Sequence, residues 1–285
     1  MRARLQFLAL ALLLAGLANA QCLSVSYTSS LNEVTYYVWK PVTSMGAPCG
    51  SGDLVIYAHG YVTPVASADS WMSELTVGGV SLPAVLNQAG YAVAASTYSK
   101  TGLAIVEGTQ NTLALAHAAQ NPGLPDLPLP PHIYLIGASE GGLVTTLSAE
   151  QDHGAYNSAG AACGPIGSFQ AQLNYFGDFR VLFDYFFPGV IPGSPVSAAD
   201  TQGAAALWGT LSAVAIPQAI SDVSKTQQLF RVMGIAMPST QATVLSTVLE
   251  ILAYNIFGTA DAQQELGGQP YDNSTRIYID RKSVV

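Results

Sequence analysis

HIYLIGASEGG, residues 132–142, is an apolar run that ends at Gly137, carries a single serine at Ser139, and passes through Gly141 and Gly142 into a helix-like stretch. Residues 132–137 are apolar and short, as a buried strand is, and 141–151 read as a helix, so the glycines mark a strand-to-helix turn. Gly137-Ala138-Ser139-Glu140-Gly141 fits the pattern G-x-S-x-G. Alone the pattern is weak. With glycine and serine at about 7% each, it arises in roughly one chain of this length in ten. The strand before it and the helix after it raise its weight. A sharp turn of this kind needs small residues on either side of a strained serine. It lifts the Ser139 hydroxyl above the sheet and aims a helix N-terminus at negative charge developing beside it. The plainer alternative is a serine in a tight turn with no chemistry.

Working outward, 53–59 (DLVIYAH), 91–98 (YAVAASTY) and 160–166 (GAACGPI) read as further buried strands. Residues 82–88 and 104–120 read as helices, stopped by Gly90 and by Asn121-Pro122. Strands alternating with helices imply βαβ units and a mostly parallel sheet with helices on both faces. Upstream, 23–28 and 33–39 are rich in β-branched and aromatic residues and read as a hairpin turning at 29–32. Past residue 166 the alternation stops, and the chain becomes helical and aromatic, with helices expected at 198–215, 217–233 and 240–256. The expected organisation is an α/β core over 21–166, a helical cap over 167–268 inserted after the strand that follows the nucleophile helix, and a return toward the core from 269 to 285.

His59-Gly60-Tyr61 follows the strand at 53–59, and a loop there can supply a backbone N–H to an oxyanion hole. Tyr61 would give that N–H, and Glu140, the residue after the serine, would give the second. Gly60 permits close backbone approach. His59 reads as a residue that orients this loop rather than as a general base. The alternative is a turn that only closes a strand.

VIYAHGY (55–61), GYAVAASTYS (90–99), IYLIGASEGG (133–142) and AACGPIG (161–167) together resemble the α/β-hydrolase superfamily, in particular secreted bacterial esterase-like or prolyl oligopeptidase-like serine hydrolases. The likeness covers the core from about residue 49 to 167. It is fainter in FGDFRVLFDYFFPGVIPGSP and GGQPYDNSTRIY. The resemblance implies a Ser-His-Asp/Glu triad, acyl transfer without a cofactor, and a small ester or peptide substrate.

In that superfamily the acid and the histidine follow the serine in chain order. The four histidines here are His59, His117, His132 and His153, and none lies beyond His153. His117 falls in a helix, and His132 opens the nucleophile strand. Asp261, Asp272 and Asp280 are candidate acids, but none follows a convincing buried strand. Residues 276–279 are the one later strand-like stretch. A chain that lacks the last core strands together with the acid and histidine is the expectation; a pseudo-hydrolase that binds without turnover is the alternative.

Arg2 and Arg4 precede an apolar run at 5–17 and the small residues Ala18-Asn19-Ala20, the pattern of a secretory signal over 1–20. Export to the periplasm or medium puts the cysteines in an oxidising compartment. Cys22 and Cys49 are then candidates to pair, and Cys163, in an apolar run, reads as a buried free thiol; three free thiols are the alternative. Net charge is −8 and charged residues make up only 10% of the chain, which disfavours nucleic acid and anionic membrane as partners. No Cys/His spacing suggests a metal, and no later run of eighteen apolar residues suggests a membrane span. The aromatic cluster Phe169, Tyr175, Phe176, Phe179, Phe183, Tyr185, Phe186 and Phe187 reads first as the cap's own core and second as a substrate lining. Asp178, Arg180 and Asp184 within it suggest a structural network.

Overall fold

The computed structural model describes residues 22–64, 66–197 and 203–279. The expected signal segment, Asp280 and the tail after it lie outside the described residues. The chain divides at Ile166 and Gly167 into two compact units.

The first unit is built on a six-stranded sheet. Its strands are β1 (Leu23–Leu31), β2 (Val34–Val42), β3 (Leu54–Ala58), β6 (Ala92–Ser96), β7 (Ile133–Ala138) and β8 (Ser158–Ala162), in the spatial order β1-β2-β6-β3-β7-β8. A separate two-stranded ribbon pairs β4 (Thr76–Val77) with β5 (Val80–Ser81). β1–β2 and β2–β6 are antiparallel; β6–β3, β3–β7 and β7–β8 are parallel. This mixed, mostly parallel sheet has helices on both faces. On one face Leu54, Ile56, Ala92, Ala94, Ile133 and Leu135 pack against α2 (Ile105–Gln120) and α3 (Glu140–Gln151). On the other, Val55, Val93, Tyr57 and Ala95 meet Leu86 of α1 (Leu82–Gln88) and Trp71 of a 3₁₀ turn (Ser70–Leu75). Every residue of β3 and β6 is buried, which is why these strands read as unbroken apolar runs.

Three local expectations change. The hairpin turns on two residues rather than four: Asn32 and Glu33 both take positive φ (51° and 68°), the type I′ geometry that matches strand twist and lets β1 and β2 run longer. The strand expected at 160–166 begins at Ser158 and ends at Ala162, because Cys163 turns into the left-handed region (φ 52°). The expected burial fails as well: β8 is the sheet's edge, with Ser158–Ala161 exposed and Ala162 half-buried, and Cys163 beyond it is exposed rather than a buried thiol. Cys22 and Cys49 form a disulfide.

In the second unit, α4 (Phe169–Phe186) is capped by Ser168, whose hydroxyl accepts the Ala171 N–H. Trp208–Thr210, a π-turn at Leu211–Ala215 and Ile216–Ala219 follow as one helical segment. Helix α5 (Val223–Val232) starts afresh at Asp222, whose carboxylate caps it, so the expected helix from 217 to 233 is two pieces. Helix α6 (Gln241–Ala253) continues through a π-turn (Tyr254–Gly258) into α7 (Thr259–Leu266). The continuous span Gln241–Leu266 is long and apolar enough to cross a membrane by length and composition, although Ser246, Thr247, Glu250 and Asn255 interrupt it and it holds no run of eighteen apolar residues. Val244, Val248, Leu252 and Ile256 nonetheless bury one face of it in the unit's core.

Phe179, Phe183 and Phe187 belong to that core, so much of the aromatic cluster is structural, while Tyr185 points outward at 76% exposure. Arg180, 1% exposed, donates to both Asp184 oxygens at 2.9 Å and to the carbonyls of Ile191, Pro192 and Gly193. Asp178 joins a different group: it accepts from the Tyr271 and Tyr278 hydroxyls and pairs with Arg276 at 3.1 Å. Residues 276–279, the expected strand, are therefore irregular chain, with Arg276 and Tyr278 anchored to α4 by side chains.

Candidate active site

Strand β7 and helix α3 meet at Ser139, which caps α3 with φ 57° and ψ −127°. A non-glycine residue there is strained by roughly 1–3 kcal/mol and is held only where its surroundings leave no alternative. The surroundings are specific. The Ser139 N–H donates to the Ala162 carbonyl of β8 at 3.0 Å, and the Ser139 carbonyl accepts the Gly142 N–H at 2.9 Å. A Cβ on Gly137 would lie 2.3 Å from the Gly141 carbonyl oxygen; one on Gly141 would lie 2.0 Å from the Ala58 oxygen and 2.6 Å from that of His59. One on Gly142 would sit 2.9 Å from the Ala162 oxygen. All three glycines are thus demanded by backbone, and Gly141 brings the first turn of α3 against the end of β3.

Glu140 opens α3 and is 5% exposed. Its carboxylate accepts the Ala104 N–H at the start of α2, so the side chain ties the two helices together. Its own N–H lies in a first helical turn, where amides have no intrahelical acceptor.

The loop after β3 is held from several sides. His59 is buried, with its ring stacked on Tyr98 (centroids 3.8 Å apart) and on Trp71 (5.1 Å). Its Nδ1 meets the Gly60 carbonyl at 2.8 Å, and the Tyr98 hydroxyl donates to the His59 carbonyl at 3.1 Å. Burial pushes the imidazole pKa down to about 4, so the ring is neutral at ordinary pH. A neutral ring facing a carbonyl through Nδ1 carries its proton there and donates it. The Gly60 N–H donates to Glu74 Oε2 at 2.9 Å, and the same oxygen accepts the Tyr57 hydroxyl at 3.1 Å. Desolvation raises the Glu74 pKa, while those two donors pull it down. Tyr61, the next residue, is half-buried.

The other histidines are engaged away from the turn. His117 Nε2 pairs with Asp152 at 2.6 Å, His132 Nδ1 pairs with Asp53 at 2.9 Å, and His153 is exposed beyond the end of α3. Among the described residues, no hydrogen bond joins a histidine ring to Ser139. Of the candidate acids, Asp261 is buried in α7 and Asp272 is exposed, bonded to Ser274. No group of three or more His, Cys, Asp or Glu among the described residues is placed to hold a metal. Ser139 and Glu140 stand at the strand-to-helix turn and the His59–Tyr61 loop follows β3, as the sequence predicts, while Glu74, Trp71 and Tyr98 around that loop carry no such mark in the sequence. Glu74 lies in a 3₁₀ turn without strand or helix periodicity, so no signal in the sequence marked it.

The sequence matches no protein-family model and no curated protein. Among solved structures it is similar to an arylesterase (12% identity, TM-score 0.39, covering 59% of this chain and 56% of that one). It is similar to Est1E from Butyrivibrio proteoclasticus (15%, 0.37, covering 53% and 55%). A ligand-bound form of the rice cell wall degrading esterase LipA from Xanthomonas oryzae aligns over 96% of this chain and 67% of its own, with 14% identity and a TM-score of 0.38. The chain spans a little over half the length of the first two.

Proposed function

We propose that the chain is a secreted serine hydrolase acting on small carboxylic esters through an acyl-enzyme on Ser139. The observation that carries this reading is the backbone of Ser139: a strained φ/ψ at a strand-to-helix turn, flanked by three glycines whose Cβ atoms would each run into backbone. In the proposed reaction the Ser139 hydroxyl attacks the ester carbonyl, and the N–H groups of Tyr61 and Glu140 receive the oxyanion. The alcohol leaves, and water then releases the acid. The N-terminus of α3 adds a favourable dipole at the developing charge. Periplasmic or extracellular location is supported by the Cys22–Cys49 bridge, since such bridges persist in oxidising compartments.

The proton that Ser139 must give up needs a base. Among the described residues no hydrogen bond joins any of the four histidines to it, and this observation favours a second reading, a secreted protein that binds at the same turn without turnover. A fluorophosphonate probe separates the two. Labelling at Ser139, confirmed by intact mass and absent in Ser139→Ala, supports the hydrolase. A folded protein that stays unlabelled supports the binder. Matched ester and amide substrates then decide between esterase and peptidase.

A further inference from the structure

We infer that Glu74 is a positioning residue for the oxyanion loop, acting through the Gly60 peptide; the inference rests on the Ser139 hydrolase reading. Gly60 lies between His59, fixed by its aromatic stack, and Tyr61, the proposed oxyanion donor. Its N–H is taken up by Glu74 Oε2 at 2.9 Å, and its carbonyl by His59 Nδ1 at 2.8 Å. With both ends of the residue engaged, its peptide planes have little freedom, and the amide that follows inherits that orientation. The approach is close. A Cβ on Gly60 would stand 3.0 Å from Glu74 Oε1 and 3.4 Å from its Cδ, so the glycine lets the carboxylate reach the backbone. Glu74 is itself steadied by the Tyr57 hydroxyl on the same oxygen, and its 3₁₀ turn also carries Trp71, which stacks on His59. One short turn therefore grips the loop twice, once through a ring and once through a carboxylate. A half-buried carboxylate with no ion pair among the described residues is unfavourable to fold around. Its two donors come from β3 and from the peptide that precedes the proposed oxyanion amide.

The test uses fluorophosphonate labelling of the whole protein, separating reversible probe affinity from the rate of covalent capture. Glu74→Ala frees the Gly60 N–H. It should slow capture by about 10²-fold, the scale expected of roughly 1 Å misplacement, with reversible affinity unchanged. Glu74→Gln keeps an oxygen able to accept from both Gly60 and Tyr57 and should stay within about tenfold of the wild type, a smaller loss than one misplaced group. Leu86→Ala, which removes a buried side chain on the same face without touching the loop, controls for loss of stability. Wild-type capture speed in folded Glu74→Ala overturns the inference alone, as does an equal slowing in Leu86→Ala. A wild-type protein that never labels overturns the hydrolase reading and this inference with it.

Discussion

Replacing Gly141 by alanine tests whether the turn at Ser139 is as constrained as its contacts indicate. The new methyl would stand 2.0 Å from the Ala58 carbonyl oxygen and 2.6 Å from that of His59, where ordinary contact begins at 3.4 Å. Relief from 2.0 Å to 3.4 Å requires about 1.4 Å of movement between the first turn of α3 and the end of β3. Neither partner is a flexible side chain. Ala58 lies in a strand hydrogen-bonded on both sides, and α3 is pinned at its start by the Ser139–Ala162 and Glu140–Ala104 hydrogen bonds. Overpacking costs about 1–3 kcal/mol where side chains can adjust, so a backbone clash on both sides belongs at about 3 kcal/mol or above. That corresponds to a fall in Tm of roughly 6–12 °C for a chain of this size class. Thermal unfolding followed by circular dichroism reads it, with Gly209→Ala as comparison. Gly209 is exposed in a helical segment with nothing within 4 Å of its would-be Cβ, and alanine there should be neutral or stabilising by about 0.4–1 kcal/mol. Equal melting temperatures for Gly141→Ala and the wild type would refute the close approach of α3 to β3.

Three further outcomes are expected. Cys22→Ser with Cys49→Ser opens a loop of 27 residues' separation and should cost about 3.5 kcal/mol by chain entropy, measured as a lower denaturant midpoint; an unchanged midpoint would show that the hairpin needs no tether. His59 has a folded pKa of about 4 against an ordinary 6.5, so the unfolded chain takes up a proton that the folded ring refuses. Its contribution is present above pH 6.5 and is lost as pH falls toward 4, about 3 kcal/mol in all. Denaturation at several pH values should therefore show His59→Phe losing less stability than the wild type over that window, and parallel curves would contradict the buried neutral ring. Arg180→Met leaves Asp184 and three carbonyls without their cationic donor, and should destabilise the second unit by about 3–5 kcal/mol. Calorimetry showing two unaltered transitions would count against that role.

The alternation of buried runs was legible because β3 and β6 are covered on both faces and carry no polar interruption. The serine turn was legible for a related reason: a strained serine between forced glycines leaves a mark in five consecutive letters. What escaped was decided by contacts across the fold. Glu74 faces Gly60 from fourteen positions away, and nothing in SWMSEL announces an acid bonded to a distant backbone amide. Cys163 looks like a core residue in AACGPI, yet β8 is the exposed edge of the sheet and the strand ends at Ala162. The segment 276–279 has the composition of a strand, but Tyr278 and Arg276 are bonded to Asp178 and the chain there pairs with no neighbour. Helix boundaries in the second unit moved for local reasons, chiefly the Asp222 cap that restarts α5.

The stack of Trp71 on His59 also makes the loop optically visible. Trp71 is 1% exposed, and its indole lies nearly parallel to the imidazole, at 10°. Trp39 and Trp208 are the other two indoles in the chain. With those two replaced by phenylalanine, the remaining emission would come from a chromophore in contact with the residue that precedes Gly60. A spectral change on adding an inhibitor would then report movement of that loop directly, without a label and without requiring a turnover.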